Sequence, residues 1–162
     1  MLHESKTVVL TGMPGVGKTT VGRILSDGTG RPWFDSDAEI ERAEGMSVSD
    51  IFALKGEGYF RGAERETLRR LAAVPGAVIS AGGGASVADI KRPGVAVVLL
   101  RRPLLQIRAA LEDGSRPLLR EPGSLERLYA ERRGRYEAEA DLAVDIISPE
   151  LAAEAIRKAL GI

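Results

Sequence analysis

Residues 12–19 read GMPGVGKT and meet the pattern G-x-x-x-x-G-K-[ST] through Gly12, Gly17, Lys18 and Thr19, directly behind the apolar run TVVLT of residues 7–11. In such a loop the glycines let backbone N–H groups turn inward around phosphate oxygens, the lysine reaches the β- and γ-phosphates, and the hydroxyl meets Mg²⁺. A helix starting near Lys18 adds its positive N-terminal end to the same anion site. A Gly-rich turn between a strand and a helix is the plainer reading. Chance matches fall below about one chain of this length in a hundred. The pattern therefore predicts a nucleoside triphosphate site, and the open question is which group receives the phosphate.

Three further groups of residues bear on that question. In FDSDAEIE, Asp35 and Asp37 stand two apart, the first at a strand tip and the second in the following turn. One carboxylate can organise Mg²⁺ through water while the other accepts or orients a hydroxyl proton. The same residues also read as a helix start, with Ser36 or Asp35 as cap. In SAGGGAS, Gly82, Gly83 and Gly84 admit a ligand close to the backbone and offer open N–H donors, or form no more than a permissive loop. Arg61, Arg116 and Arg132 supply planar forks that bind carboxylate or phosphate. Glu64, three residues after Arg61, shares its helix face and either fixes that fork or makes a weak surface pair. Arg69, Arg70, Arg101 and Arg102 read as solvated charge, and His3 as part of a frayed terminus.

These groups need a scaffold, and short β-rich runs alternating with helical patterns imply βα units and a parallel sheet. Strands are predicted at 7–11, 33–35, 78–80, 95–100 and 143–146, and helices near 18–26, 48–53, 59–73, 104–112, 125–138 and 149–160. The run VAVVLL, nearly all apolar, suits a central strand covered on both faces. Ligands in such sheets bind beyond the carboxyl ends of the strands, where the residues above fall. Residues 112–124, EDGSRPLLREPGS, form a long loop rich in Gly, Pro and charge, of the kind that is functional or disordered.

At 162 residues the chain is read as one domain, 1–162. Its 23 basic and 23 acidic residues balance, so no global charge draws it to nucleic acid or membranes. Residues 91–135 break that balance with eleven Lys/Arg against five Asp/Glu, a stretch that is either a solvated face or a seat for polyanionic phosphate. The absence of cysteine excludes disulfides and thiolate metal sites. No apolar run approaches membrane-spanning length, and a cytoplasmic protein is expected by elimination.

The ordered signature GMPGVGKTT, FDSD, SVSDIFALKGEGYFRGAE, AGGG, RPLL and an arginine four residues before a tyrosine resembles the shikimate kinases over most of the chain. The resemblance implies a P-loop kinase: an α/β fold with a five-stranded parallel sheet between helices and a mobile lid at about 112–124. It implies ATP as co-substrate, Mg²⁺, and shikimate phosphorylated on its 3-hydroxyl, by a cytoplasmic monomer with no nucleic-acid or membrane partner. It places Gly15, Val16, Gly17, Lys18, Thr19 and Thr20 around the ATP phosphates, with Thr19 and Asp35 at the metal. Asp37 resembles the residue that holds the acceptor hydroxyls and acts as base. Arg61, Gly82, Gly83, Gly84 and Arg132 resemble the rest of an acceptor site that begins in the segment 35–64. Arg116 resembles a lid arginine reaching ATP, and Arg108 one near the adenine. Where the family reads R-x-P-L-Y, residues 132–136 read RRGRY, and the tyrosine register assigns the carboxylate ligand to Arg132 rather than Arg133 or Arg135. Gluconate-type and nucleotide kinases share the P-loop but lack the combination of D-x-D, Phe-Arg and triple glycine. A non-catalytic nucleotide-binding module would be expected to have lost Lys18, Asp37 or an acceptor arginine, and none is lost.

Overall fold

The computed structural model describes residues 6–111 and 121–162. Five strands, β1 (Thr7–Thr11), β2 (Trp33–Asp35), β3 (Val78–Ser80), β4 (Val95–Arg101) and β5 (Leu142–Asp145), form one sheet in the order β2-β3-β1-β4-β5. Every neighbouring pair is parallel. The described helices are α1 (Lys18–Thr29), α2 (Ser36–Glu44), α3 (Val48–Lys55), α4 (Glu57–Ala72), α5 (Leu104–Leu111), α6 (Ser124–Glu139) and α7 (Pro149–Leu160), with a 3₁₀ turn at Ala88–Ile90. The first three strands carry the bounds expected from sequence, and β4 runs one residue further, to Arg101. The expected lid falls largely on residues 112–120, which with Arg116 and His3 lie outside the described residues.

Alternation along the central strands feeds two cores. Val8, Leu10, Val98 and Leu100 pack on one face with Val21 and Leu25 of α1, Ile107 of α5, Leu125 and Tyr136 of α6, and Ile156 of α7. Val9, Ile79 and Val97 pack on the other with Leu68, Leu71 and Ala72 of α4. At about 1.5–3 kcal/mol per fully buried large apolar side chain, these two layers hold the sheet rigid. The chain order puts β1 between β3 and β4, so the connections after β1 and β3 diverge and leave a crevice at their carboxyl ends.

The sequence pattern assigns no helix span to α2 and reads Asp37 as entering a turn, but its other reading of Asp-Ser-Asp, a helix start with Ser36 or Asp35 as cap, is the one the structure adopts. Asp35 Oδ1 accepts from the Ala38 N–H at 3.0 Å and starts the helix, with Asp37 and Glu39 in the first turn beside the positive end of the dipole. With only Ser36 and Ile40 buried, α2 shows little of the apolar periodicity that marks α7. Ile40, Ile51 of α3 and Phe60 of α4 close a third, small core that fixes these helices as one unit beside the crevice.

Candidate active site

The loop between β1 and α1 opens at Gly12, whose φ of 141° and close approach to the β4 end leave no room for a side chain: a Cβ there would lie 2.6 Å from the Leu100 carbonyl oxygen. Lys18 Nζ donates to the carbonyls of Gly12 and Met13 at 2.7 and 2.9 Å, so its charge is held over the mouth of the loop. Gly17 caps α1 without a side-chain oxygen, and the first turn carries no acidic residue. The N–H groups there face the crevice as an anion cradle. The start of α1 is tied to the sheet, because Trp33 Nε1 donates to Ser80 Oγ at 3.0 Å and that hydroxyl donates to the Lys18 carbonyl at 2.8 Å. Val16 serves the loop differently from its neighbours. Its side chain is buried in the core and its N–H donates to the Met13 carbonyl at 3.1 Å, so it shapes the cradle from behind.

Thr19, Asp35 and Asp37 all line the cleft in front of this loop. Thr19 Oγ1 donates to Asp35 Oδ2 at 3.3 Å, while the other Asp35 oxygen caps α2. The cap reading and the metal reading of Asp35 are thus compatible, one oxygen for each. Asp37 lines the same cleft as Gly15, Gly17, Lys18, Thr19, Thr20, Gly82 and Gly83; this cleft is about 1010 Å³ counted out to its mouth.

The triple glycine follows β3 and is pressed from three sides. A Cβ on Gly82 would lie 2.6 Å from Asp37 Oδ1, one on Gly83 2.8 Å from the Pro14 ring, and one on Gly84 2.5 Å from Arg61 Nη2. Any side chain there would fill the space between the P-loop, α2 and α4. The Gly82 N–H donates to Ser36 Oγ at 2.9 Å and locks the loop to α2.

Arg61 lies over the Phe52 and Phe60 rings, 5.9 and 5.4 Å from their centroids. Its Nη1 donates to Glu64 Oε1 at 2.9 Å, and Nη2 lies 3.6 Å from Glu57. Glu64 is only 3 % exposed, so the i, i+3 pair is no surface ornament; it aims the guanidinium. Burial pushes the Glu64 carboxyl above its ordinary value, the Arg61 bond and charge oppose that, Asp37 adds to it, and Arg135 pulls it down.

Helix α6 closes the far side. Arg132, Arg135, Tyr136 and Glu139 recur at i, i+3, i+4 and i+7, one face of a helix. The buried Tyr136 hydroxyl donates to the Gly83 carbonyl. Burial raises its pKa above that of an ordinary phenol, against the opposing charge and hydrogen bond of Arg132, so it remains a donor at neutral pH. Glu139 accepts from Ser86 Oγ at 2.6 Å and from the Val87 N–H at 3.0 Å, anchoring the segment that follows the glycines. Arg133 points elsewhere, to Glu137 at 3.1 Å and over the Tyr129 ring. Glu139→Ala is expected to lower unfolding free energy by about 2–4 kcal/mol, since two donors to a buried carboxylate lose their acceptor; urea unfolding reads this directly.

One placement differs from the sequence reading. Arg102, taken there as solvated charge, lines the cleft beside the P-loop. Its position just past the end of β4 was the available signal, since strand ends face the crevice. Arg108 is paired with Glu126 of α6 and is not among the residues lining the described cleft.

A model of the family described as shikimate kinase matches residues 14–160. This chain belongs to the shikimate kinase family. The shikimate kinase of Moorella thermoacetica is 42% identical over 162 residues, covering 94% of this chain and 93% of that protein. The shikimate kinase of Cereibacter sphaeroides is likewise 42% identical, over 90% of this chain and 76% of its own length. A solved shikimate kinase from Acinetobacter baumannii in complex with shikimate superposes with a TM-score of 0.86 at 32% identity, over 96% of this chain and 93% of that one.

Against the shikimate kinase pattern, the RRGRY departure is external at one of its two positions. Gly134, in place of the proline, is exposed, and a Cβ on it would meet nothing within 4 Å. Arg135, in place of the apolar residue, turns inward. Among the described residues no cluster of three or more His, Cys, Asp or Glu could hold a metal ion. A Mg²⁺ ion needs no such cage, since it keeps several waters and takes one or two protein oxygens plus phosphate. The adjoining Thr19 hydroxyl and Asp35 carboxylate fit that demand. No described helix is long and apolar enough to cross a membrane.

Proposed function

We propose that this protein transfers the γ-phosphoryl group of ATP to the 3-hydroxyl of shikimate, giving shikimate 3-phosphate and ADP on the route to chorismate and the aromatic amino acids. The observation that carries the reading is that the phosphate cradle, Asp37 and the Gly82–Gly83 loop line one cleft, with the Arg61 guanidinium packed against Gly84 beside it. Phosphoryl transfer needs positioning and charge neutralisation more than covalent chemistry. The amides of Gly15 to Thr20 and Lys18 bind the phosphates, with Lys18 leaving the Gly12 and Met13 carbonyls for the transferred group. Thr19 and Asp35 would hold Mg²⁺, which supplies further neutralisation of phosphate charge. Asp37 accepts a proton from the attacking hydroxyl, while Gly82, Gly83 and Gly84 keep the acceptor face clear. Arg61 and Arg132 anchor the acceptor carboxylate. Arg116 keeps the ATP role that the family resemblance implies. Arg108, paired with Glu126, keeps the role near the adenine that the family resemblance implies. The proposal carries with it a monomer working in the cytoplasm on two small molecules.

The test is ADP release measured side by side with shikimate, gluconate and CMP. Turnover with shikimate alone is expected; turnover with gluconate or CMP but not shikimate would sink the reading. Arg61→Lys and Arg132→Lys are each expected to weaken shikimate binding by about 1–3 kcal/mol with nucleotide binding nearly unchanged, because lysine keeps the charge and loses the fork. Arg133→Lys should do far less, given its outward partners. Parallel titrations of shikimate and nucleotide separate these outcomes.

A further inference from the structure

Arg135 occupies the position where the resemblance leads one to expect an apolar side chain, and its environment is unusual for an arginine on a surface helix. Its Nε and Nη2 atoms are buried and take no hydrogen-bond partner among the described residues. Its guanidinium carbon lies 5.6 Å from the Tyr136 ring centroid, and its charge acts on both Glu64 and Tyr136. Those two residues border the glycine loop: Glu64 Oε2 lies 3.1 Å from a Cβ built on Gly82, and the Tyr136 hydroxyl donates to Gly83. Arg135 is therefore half-buried beside the glycine loop, with the Nε–Nη2 edge of its guanidinium out of solvent.

Nε and Nη2 are the two donors of one edge of the guanidinium, the edge that grips a carboxylate with two parallel bonds. The protein uses that edge so elsewhere, where Arg101 donates from Nε and Nη2 to the two oxygens of Asp145 at 2.9 and 3.2 Å. In Arg135 the equivalent edge is free of acceptors among the described residues. The neighbouring arginines each have a protein partner that orients them, Arg61 through Glu64 and Glu57 and Arg132 through the Tyr136 hydroxyl. A buried charged donor without an acceptor costs more than a neutral one. Such an arrangement persists where a ligand supplies the missing acceptor.

Resting on the shikimate kinase reading, we infer that Arg135 holds the carboxylate of the acceptor through its Nε–Nη2 edge, with Arg61 and Arg132 flanking. This adds to the tyrosine-register assignment of Arg132, which leaves Arg135 without a role. The helix periodicity that puts Arg132 and Tyr136 on the inner face of α6 puts Arg135 there too.

The experiment compares wild type, Arg135→Leu and Arg135→Lys with shikimate and with its uncharged carboxamide, reading KM, kcat and melting temperature. Loss of a two-point bond to a charged group predicts a rise of about tenfold to a hundredfold in KM for shikimate in Arg135→Leu, with a smaller rise in Arg135→Lys. The KM for ATP should stay put, and wild type and Arg135→Leu should handle the carboxamide alike. The melting temperature of Arg135→Leu should hold or rise, since an unpaired buried charge is removed. An unchanged KM for shikimate, an equal loss with both acceptors, or a fall in melting temperature in both variants would overturn the assignment. Absence of shikimate turnover by the wild type would sink the kinase reading and this inference together, whereas an unaltered KM in a working enzyme sinks the inference alone.

Discussion

Lys18→Met is expected to lower phosphoryl transfer by about a hundredfold to a thousandfold or more, with folding still cooperative. A preorganised charge aimed at a developing anion is worth about 3–4 kcal/mol of transition-state stabilisation. Methionine matches the length of the side chain and supplies none of that charge. The structural cost is bounded, because Lys18 contributes to the fold through bonds to two loop carbonyls at the crevice mouth and not through core packing. Calorimetry alongside ADP release checks both halves. A collapse of the melting transition would assign Lys18 to the scaffold and not to the chemistry.

Asp37→Asn is the other large effect, and it should have a different kinetic shape. An amide contacts the acceptor hydroxyls much as a carboxylate does, but cannot take the proton that leaves. General base catalysis contributes about 10²–10⁴ in rate, and kcat should fall by that order while KM for shikimate moves little. Asp37 is held for the task by its place in the first turn of α2 and by the close fit of its Oδ1 against Gly82. A variant that lost shikimate affinity and kept kcat would show that Asp37 binds the acceptor without acting as base.

Much of this protein was legible in its sequence, for a physical reason. A phosphate cradle needs glycine, lysine and a hydroxyl at fixed spacing along a few contiguous residues, so Gly12 to Thr19 announce it without help from the rest of the chain. Strand β1 and strand β4 were legible too, because a central parallel strand is apolar on both faces and its run of residues says so. The start of helix α2 stayed one of two readings because Asp-Ser-Asp suits both a cap and a metal or hydroxyl site, and local chemistry does not say that Asp35 spends one oxygen on a cap and the other on Thr19. The sequence also left Glu64 between a fixing role and a weak surface pair; only burial under the glycine loop decides for the former. Tertiary structure likewise decided the arginines. Arg61, Arg102, Arg132, Arg133 and Arg135 are one residue type with one charge, and their separation into forks beside the glycine loop, a cleft wall and a solvated ion pair depends on which way each faces once β3, α4 and α6 meet. That meeting is made by contacts far apart in the chain, Tyr136 to Gly83 and Glu139 to Val87, and a residue's neighbours in sequence carry no record of it.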